Sequence, residues 1–250
     1  MKKLFLIIFS VLIYANSLEY YLFSINMDYR EFDQNGAYLD GDSCGFGKLN
    51  GIGIKYSATK NISYFLKIEY ANGKTHYDGS TWGGTPLSLT KKNVYIWNLE
   101  GGIKPINNPM YLSIGYRYWN RGKSDYQGDY DEQYYWPYMG IGYFYVVKLN
   151  KIFFTSDLAY QYAINPKINV HLGSGTTLNL GYTSGLKFQL KAFYPYSDNI
   201  MLSFMYRYQF WHINRSESGS IILDGSNTQI VEPESFTRNQ YLGIGVVYKY

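Results

Sequence analysis

The sequence predicts an all-β chain closed into a transmembrane antiparallel up-and-down barrel of about ten strands. Three observations predict it. Apolar and polar residues alternate with period two, as in Ile200, Leu202, Phe204, Tyr206, Tyr208 and Phe210 against Ser203, Arg207 and Gln209. Connections between such stretches are alternately short and long. Tyrosines gather at the ends of the apolar faces. A strand with one wholly apolar face must meet something apolar there, and roughly ten residues is the length a tilted strand needs to cross a bilayer. Closed on themselves, these strands are expected to turn the apolar face to lipid and the charged face to the axis.

The chain begins Met1-Lys2-Lys3, continues through an apolar run from Leu4 to Tyr14 and reaches Ala15-Asn16-Ser17. A basic start, a short apolar run and small residues before a cut are the layout of a cleaved signal peptide over residues 1–17. Export follows, with the barrel spanning 18–250. The residue directly after the cut is Leu18 and not a cysteine, which argues against a lipid anchor. Without Lys2 and Lys3 the chain carries 21 basic against 19 acidic residues, and no basic stripe marks a nucleic-acid partner. Mean hydropathy is slightly negative, as for a barrel with one polar face per strand. The single cysteine, Cys44, is expected to be a free thiol.

Ten alternating segments follow. The first sets Tyr21, Phe23, Ile25, Met27 and Tyr29 outward, against Ser24, Asn26, Asp28 and Arg30. The second sets Ile52, Ile54 and Tyr56 against Gly51, Gly53, Lys55 and Ser57; the third Ile62, Tyr64, Leu66, Ile68 and Tyr70 against Ser63, Phe65, Lys67 and Glu69. The fourth sets Tyr95, Trp97, Leu99 and Ile103 against Asn98, Glu100, Gly102 and Lys104; the fifth Met110, Leu112, Ile114, Tyr116 and Tyr118 against Tyr111, Ser113, Gly115 and Arg117. The sixth sets Met139, Ile141, Tyr143, Tyr145 and Val147 against Tyr138, Gly140, Gly142 and Lys148. The seventh sets Ile152, Phe154, Leu158, Tyr160 and Tyr162 against Thr155, Asp157 and Gln161. The eighth sets Leu178, Leu180, Tyr182, Leu186, Phe188 and Leu190 against Asn179, Thr183, Lys187, Gln189 and Lys191. The ninth is the opening example. The tenth sets Leu242, Ile244, Val246, Tyr248 and Tyr250 against Tyr241, Gly243, Gly245, Val247 and Lys249.

Short turns fall near 59–61, 105–109, 149–151 and 194–199, rich in Asn, Pro, Asp and Ser. Long loops fall near 31–46, 71–92, 120–135, 163–175 and 214–238. Sorting of loop length by strand parity is expected of a membrane barrel and not of a sandwich. Tyr29, Tyr70, Tyr116, Tyr118, Tyr160, Tyr162, Tyr206 and Tyr208 are expected to form an aromatic girdle at the long-loop side, with Tyr248 and Tyr250 in a sparser one at the other rim.

In these features the chain resembles the outer-membrane β-barrel proteins of Gram-negative bacteria. The last strand, Leu242, Ile244, Val246, Tyr248 and Tyr250, looks like that family's C-terminal assembly signal, although Phe is the more usual last residue. The resemblance implies residence in outer-membrane lipid and recognition by the barrel-assembly machinery. It singles out no subfamily.

The expected lumen charges are Asp28, Arg30, Lys67, Glu69, Glu100, Lys104, Arg117, Asp157, Lys187 and Arg207. Unpaired charge inside a narrow barrel is costly, so these should pair. Bulky inward residues (Phe65, Tyr111, Trp119, Phe153, Met201, Met205, Trp211) should help fill a bore only slightly wider than that of an eight-stranded barrel. A plugged interior is therefore expected ahead of a narrow pore for a small solute. The inward pairs Gly51/Gly53, Gly140/Gly142 and Gly243/Gly245 open no helix and suggest space for bulky neighbours rather than a dinucleotide site.

Three histidines, His76, His171 and His212, lie in loops or at the loop-side rim. With Asp78 or the acidic run Asp125, Asp129, Asp131 and Glu132 they are raw material for an omptin-like protease or a lipid-modifying enzyme, but no matching motif accompanies them. The acidic loops lack the distal Glu of an EF-hand. No catalytic, cofactor or metal residue is therefore assigned. The expected function is a non-enzymatic barrel, either a narrow porin or a structural and surface-interaction protein, with a surface ligand as a possible partner through loop aromatics such as Trp82, Tyr126, Tyr130 and Tyr134.

Overall fold

A computed structural model describes residues 17–81 and 84–250. The predicted signal peptide lies outside these residues except for Ser17, which opens the first strand; Trp82 also lies outside them. Fourteen strands and no helix are found among the described residues: β1 (Ser17–Phe32), β2 (Tyr38–Thr59), β3 (Ile62–Ser80), β4 (Pro86–Pro105), β5 (Met110–Asn120), β6 (Glu132–Leu149), β7 (Ile152–Ala163), β8 (Lys167–Val170), β9 (Thr176–Asn179), β10 (Thr183–Pro195), β11 (Ile200–Ile213), β12 (Gly219–Leu223), β13 (Ser226–Ile230) and β14 (Glu234–Lys249). Ten of them run in the order β5-β4-β3-β2-β1-β14-β11-β10-β7-β6, and β6 pairs back onto β5. The barrel is therefore closed and has no free edge. First and last strands join along their whole length, from Ser17 opposite Lys249 to Phe32 opposite Glu234.

The short turns are residues 60–61, 106–109, 150–151 and 196–199, all at one end. Asn150 opens one of them with φ 54°, a conformation Asn tolerates. Two of the expected long loops are largely strand. β2, β3 and β4 run 22, 19 and 20 residues, so residues 38–46 and 71–92 mostly extend the sheet above the barrel. The alternation persists there, with Thr75 and Tyr77 buried between exposed Lys74, His76 and Asp78, so the same period that makes the wall continues it. A register shift between Ser43 and Leu49 lets residues 45–48 bulge from the ladder. Cys44 is a half-buried free thiol beside the Ile25 carbonyl.

The remaining long loops form a lid. The β8–β9 hairpin adds to the upper end of β6, with Lys167–Val170 opposite Glu132–Tyr135. The β12–β13 hairpin turns on Asp224-Gly225, both at positive φ, as a type I′ turn requires. Ile168, Val170, Leu178, Leu180, Ile221 and Ile230 bury their side chains beneath these hairpins, in one cluster with the upper lumen. Leu178 and Leu180, expected on a lipid-facing strand, therefore belong to the lid.

Outward and inward parity match the sequence pattern in most strands. Leu112, Ile114, Leu158, Phe204, Ile244 and Val246 are exposed, whereas Lys67, Glu69, Glu100, Arg117, Asp157, Lys187 and Arg207 are buried. The first strand is inverted. Tyr21, Phe23, Ile25, Met27 and Tyr29 point inward and are buried, while Tyr20 and Leu22 are exposed. Register gives the physical reason. Tyr21 stands between Gly53 and Gly245, and Phe23 between Gly51 and Gly243. A Cβ built on Gly53 would lie 2.2 Å from the Tyr21 ring, and one on Gly51 2.4 Å from that of Phe23. The glycine pairs on the flanking strands make room for these two rings. Outward Leu18 and Tyr56 are buried with Ala58, and the Tyr56 and Tyr64 rings pack at 5.9 Å.

Candidate functional site

The lumen is built in tiers, each set by which inward positions share a height. At the short-turn end Lys191 on β10 places its Nζ 2.7 Å from both Glu19 oxygens on β1, and Ser203 on β11 donates to the same carboxylate at 2.9 Å. Lys104 also sits at this mouth, half-buried, donating to the Pro105 and Asn108 carbonyls. Above it, Glu100 accepts Lys187 at 2.9 Å and lies 2.7 Å from Lys67. Lys187 also reaches Asp157 at 3.3 Å, and the Tyr111 hydroxyl donates to Asp157 at 2.6 Å. Beside them the Arg207 guanidinium grips Glu69 with two nitrogens, at 2.9 and 2.5 Å. Tyr21 and Asn98 donate to the same carboxylate at 2.6 and 3.2 Å. Charges from β3, β4, β7, β10 and β11 thus neutralise one another across the bore, as buried ions must.

Arg117 breaks this pattern. It is 1 % exposed, lies between Asn98 and Trp136 in register, and none of its guanidinium nitrogens has a hydrogen-bond partner among the described residues. Over this level lies an aromatic tier. Trp119, Trp136 and Trp211 are all 0 % exposed; Trp136 and Trp211 meet edge to face at 5.1 Å, and Trp119 stacks on Tyr134 at 4.9 Å. Met27 and Ile25 fill the gaps.

Two expected lumen charges and one girdle tyrosine are placed differently, because β1 is inverted. Asp28 and Arg30 face out above the barrel, pairing with each other at 2.9 Å, and the Arg30 side chain is 51 % exposed. Tyr29 points inward. Its hydroxyl donates to Glu31 at 2.7 Å and meets the Tyr134 hydroxyl at 2.7 Å. The other tyrosines singled out (Tyr70, Tyr116, Tyr118, Tyr160, Tyr162, Tyr206, Tyr208, Tyr248 and Tyr250) are half-buried or exposed on outward positions.

The lid covers a second charged centre. Arg121, just beyond β5, is buried and lies 2.6 Å from Asp42, 2.5 Å from Glu31, 2.5 Å from Glu132 and 3.2 Å from Asp40. Its guanidinium lies over the Tyr29 ring at 4.6 Å. Burial opposes its charge, but Asp42, Glu132 and Glu31 hold it cationic well beyond its ordinary range. Glu232 completes the group and hydrogen-bonds Tyr134. Burial, with Glu132 beside it, pushes the Glu232 carboxyl up to about 8. A cavity of about 700 Å³ opens above, lined by Glu31, Asp40, Arg121, Glu132, Glu232, Tyr126 and Tyr130 among others. This centre escaped sequence reasoning because its members come from strand extensions and loops far apart in the chain.

The histidines do not come together. His76 hydrogen-bonds Ser88 at 3.1 Å on an exposed strand pair. His171 lies 3.3 Å from Asp131. His212 lies 2.6 Å from Glu234, on the outward face of β11, its ring stacked on Phe236 at 4.6 Å. Among the described residues no group of three or more His, Cys, Asp or Glu side chains is arranged to hold a metal ion.

No family model and no curated protein matches the chain. Solved structures do. It is similar to the outer membrane protease OmpT from Escherichia coli, with TM-score 0.57 and 12 % identity over 94 % of this chain and 96 % of that one. Neisserial surface protein A is 13 % identical over 92 % of this chain and 97 % of that one, with TM-score 0.38. The transport unit of the autotransporter AIDA-I from Escherichia coli is 11 % identical over 94 % and 90 %, with TM-score 0.43. The last two are too distant in shape to carry an argument. The first shows the fold: this chain is a closed ten-stranded antiparallel barrel like that of the outer membrane protease.

Proposed function

We propose that the protein is an exported, non-enzymatic barrel of the outer membrane with a closed bore, acting as a structural and surface-interaction protein through its lidded upper end. The three fully buried tryptophans carry this reading: a solute path would have to pass a tier with no exposed surface. Below that tier the lumen is crossed by Arg207–Glu69 and by Lys67–Glu100–Lys187–Asp157, and above it the two hairpins close the mouth. Outward Leu112, Ile114, Phe204 and Ile244 supply the apolar band that lipid would cover, and the outward tyrosines flank it as an interfacial girdle. The terminal strand pairs fully with β1, consistent with assembly by recognition of that strand.

Catalysis finds little support in the three separated histidines, one of which faces outward. OmpT's protease activity belongs to that protein; likeness of fold at 12 % identity carries no activity across. The test is single-channel recording of the refolded protein in a planar bilayer. A silent membrane, with the protein's presence shown by a heat-dependent shift in gel mobility, is expected. Discrete conductance steps from unmodified protein would replace the closed barrel with a narrow porin.

A further inference from the structure

The short-turn end of the lumen opens into a cup of about 230 Å³ that the ion pairs above do not fill. Lys55, Lys67, Lys104, Lys187 and Lys191 line it, against Glu100 and Asp157, with Glu19 held by Lys191. The pairing is uneven. Lys67 and Lys187 share Glu100 and Asp157, and Lys191 takes Glu19. Lys55 and Lys104 make no ion pair with a carboxylate among the described residues. Lys55 is set opposite Lys67 in the β2–β3 ladder, and like charges directly opposed on neighbouring strands destabilise each other. Glu19 is its neighbour on the other side, yet the Lys55 ammonium rests over the Phe65 ring at 5.1 Å. Lys104 reaches only backbone carbonyls, at 3.3 and 3.4 Å. Ser57 and Ser63 line the wall between these two lysines.

We infer that this cup binds a small soluble anion of the phosphate class. Two ammoniums without a close ion pair, Lys55 feeling Glu19 only at longer range, stand at the mouth of a low-dielectric cylinder and attract a multiply charged anion, and lysine binds phosphate as a point charge. Serine hydroxyls add donors. The volume lies below the roughly 300–1,000 Å³ of drug-sized sites, which suits phosphate or diphosphate and excludes a nucleotide. The ion-paired tier above is the floor, so the cup is a dead end. Its charged lining is on inward faces, with Ala58 and Tyr64 at the rim, so a soluble anion entering along the axis meets the lysines. The inference does not depend on whether the bore conducts.

The probe is inorganic pyrophosphate, added to the folded full-length barrel in neutral detergent at low ionic strength. Lysine labelling with an amine-reactive reagent, read by mass spectrometry, should slow at Lys55 and Lys104 and not at Lys74 on the opposite rim. Titration calorimetry should show affinity falling at least about tenfold, equivalent to ~1.4 kcal/mol, in Lys55→Gln/Lys104→Gln. Folding of that variant is checked by its heat-dependent gel mobility; if it does not fold, labelling of the unmodified protein decides alone. Equal labelling with and without pyrophosphate would overturn the inference, as would undiminished binding by the folded variant. Protection given only by phosphatidylglycerol vesicles, and not by pyrophosphate, would also overturn it.

Discussion

Arg207 and Arg117 are two fully buried arginines in one lumen, and replacing each by Met should have opposite consequences. Arg207→Met removes two hydrogen bonds from Glu69 and leaves that carboxylate with Tyr21, Asn98 and a Lys67 ammonium 3.5 Å away. Breaking one side of a buried ion pair costs about 3–5 kcal/mol, because the survivor stays desolvated. Arg117→Met takes away a guanidinium whose three nitrogens have no partner among the described residues, so no carboxylate is orphaned. Exchanging a poorly compensated buried charge for an apolar side chain is neutral, or stabilising by about 1–4 kcal/mol. For a chain of this size 1 kcal/mol moves a melting midpoint by roughly 2–4 °C, so the two variants should be separated by about 6 °C or more. The assay is the temperature at which the folded band disappears on a denaturing gel, repeated as a urea titration in detergent. If Arg117→Met falls as far as Arg207→Met, the guanidinium of Arg117 has a partner and the account of the lumen charges is wrong.

Raising pH should loosen the lid. Glu232 is pushed up to about 8 in the folded state against about 4.5 when exposed, so its contribution is full below the lower value and is gone once pH has risen through the upper one; limited proteolysis of residues 214–233 should accelerate from about pH 5 to about pH 8 and level off above, and an unchanged cleavage rate would contradict the buried placement. Gly53→Val drives a side chain into the Tyr21 ring and should cost about 1–3 kcal/mol, with partial recovery in Gly53→Val/Tyr21→Ala; no recovery in the double variant would undo the inverted assignment of β1. Ile114→Arg places a charge on the apolar band and should cost about 2–4 kcal/mol in a bilayer, whereas Arg30→Ser, above the band, should stay within roughly 0.5 kcal/mol. Equal effects at the two positions in vesicle-based unfolding would mean that Ile114 does not face lipid.

The chain by itself determined the wall. Period-two alternation in residues 110–118 or 200–210 admits one outward face, because only one parity is wholly apolar, and the ten strands, their closure and the short turns follow from it. It also put Lys67, Glu69, Glu100, Asp157, Lys187 and Arg207 on the axis. Alternation could not orient β1, where both parities carry large apolar side chains: Tyr20 and Leu22 on one, Tyr21, Phe23 and Ile25 on the other. The choice was made across the sheet, where facing glycines leave room for Tyr21 and Phe23 on the lumen side. The Arg121 centre was equally beyond the reach of local pattern. Its carboxylates come from β1, β2, β6 and the segment before β14, and become neighbours only when the barrel closes and the lid folds down. Periodicity reports which side of a strand avoids water; the volume and charge that a side chain meets there are set by its neighbours across the sheet and the bore.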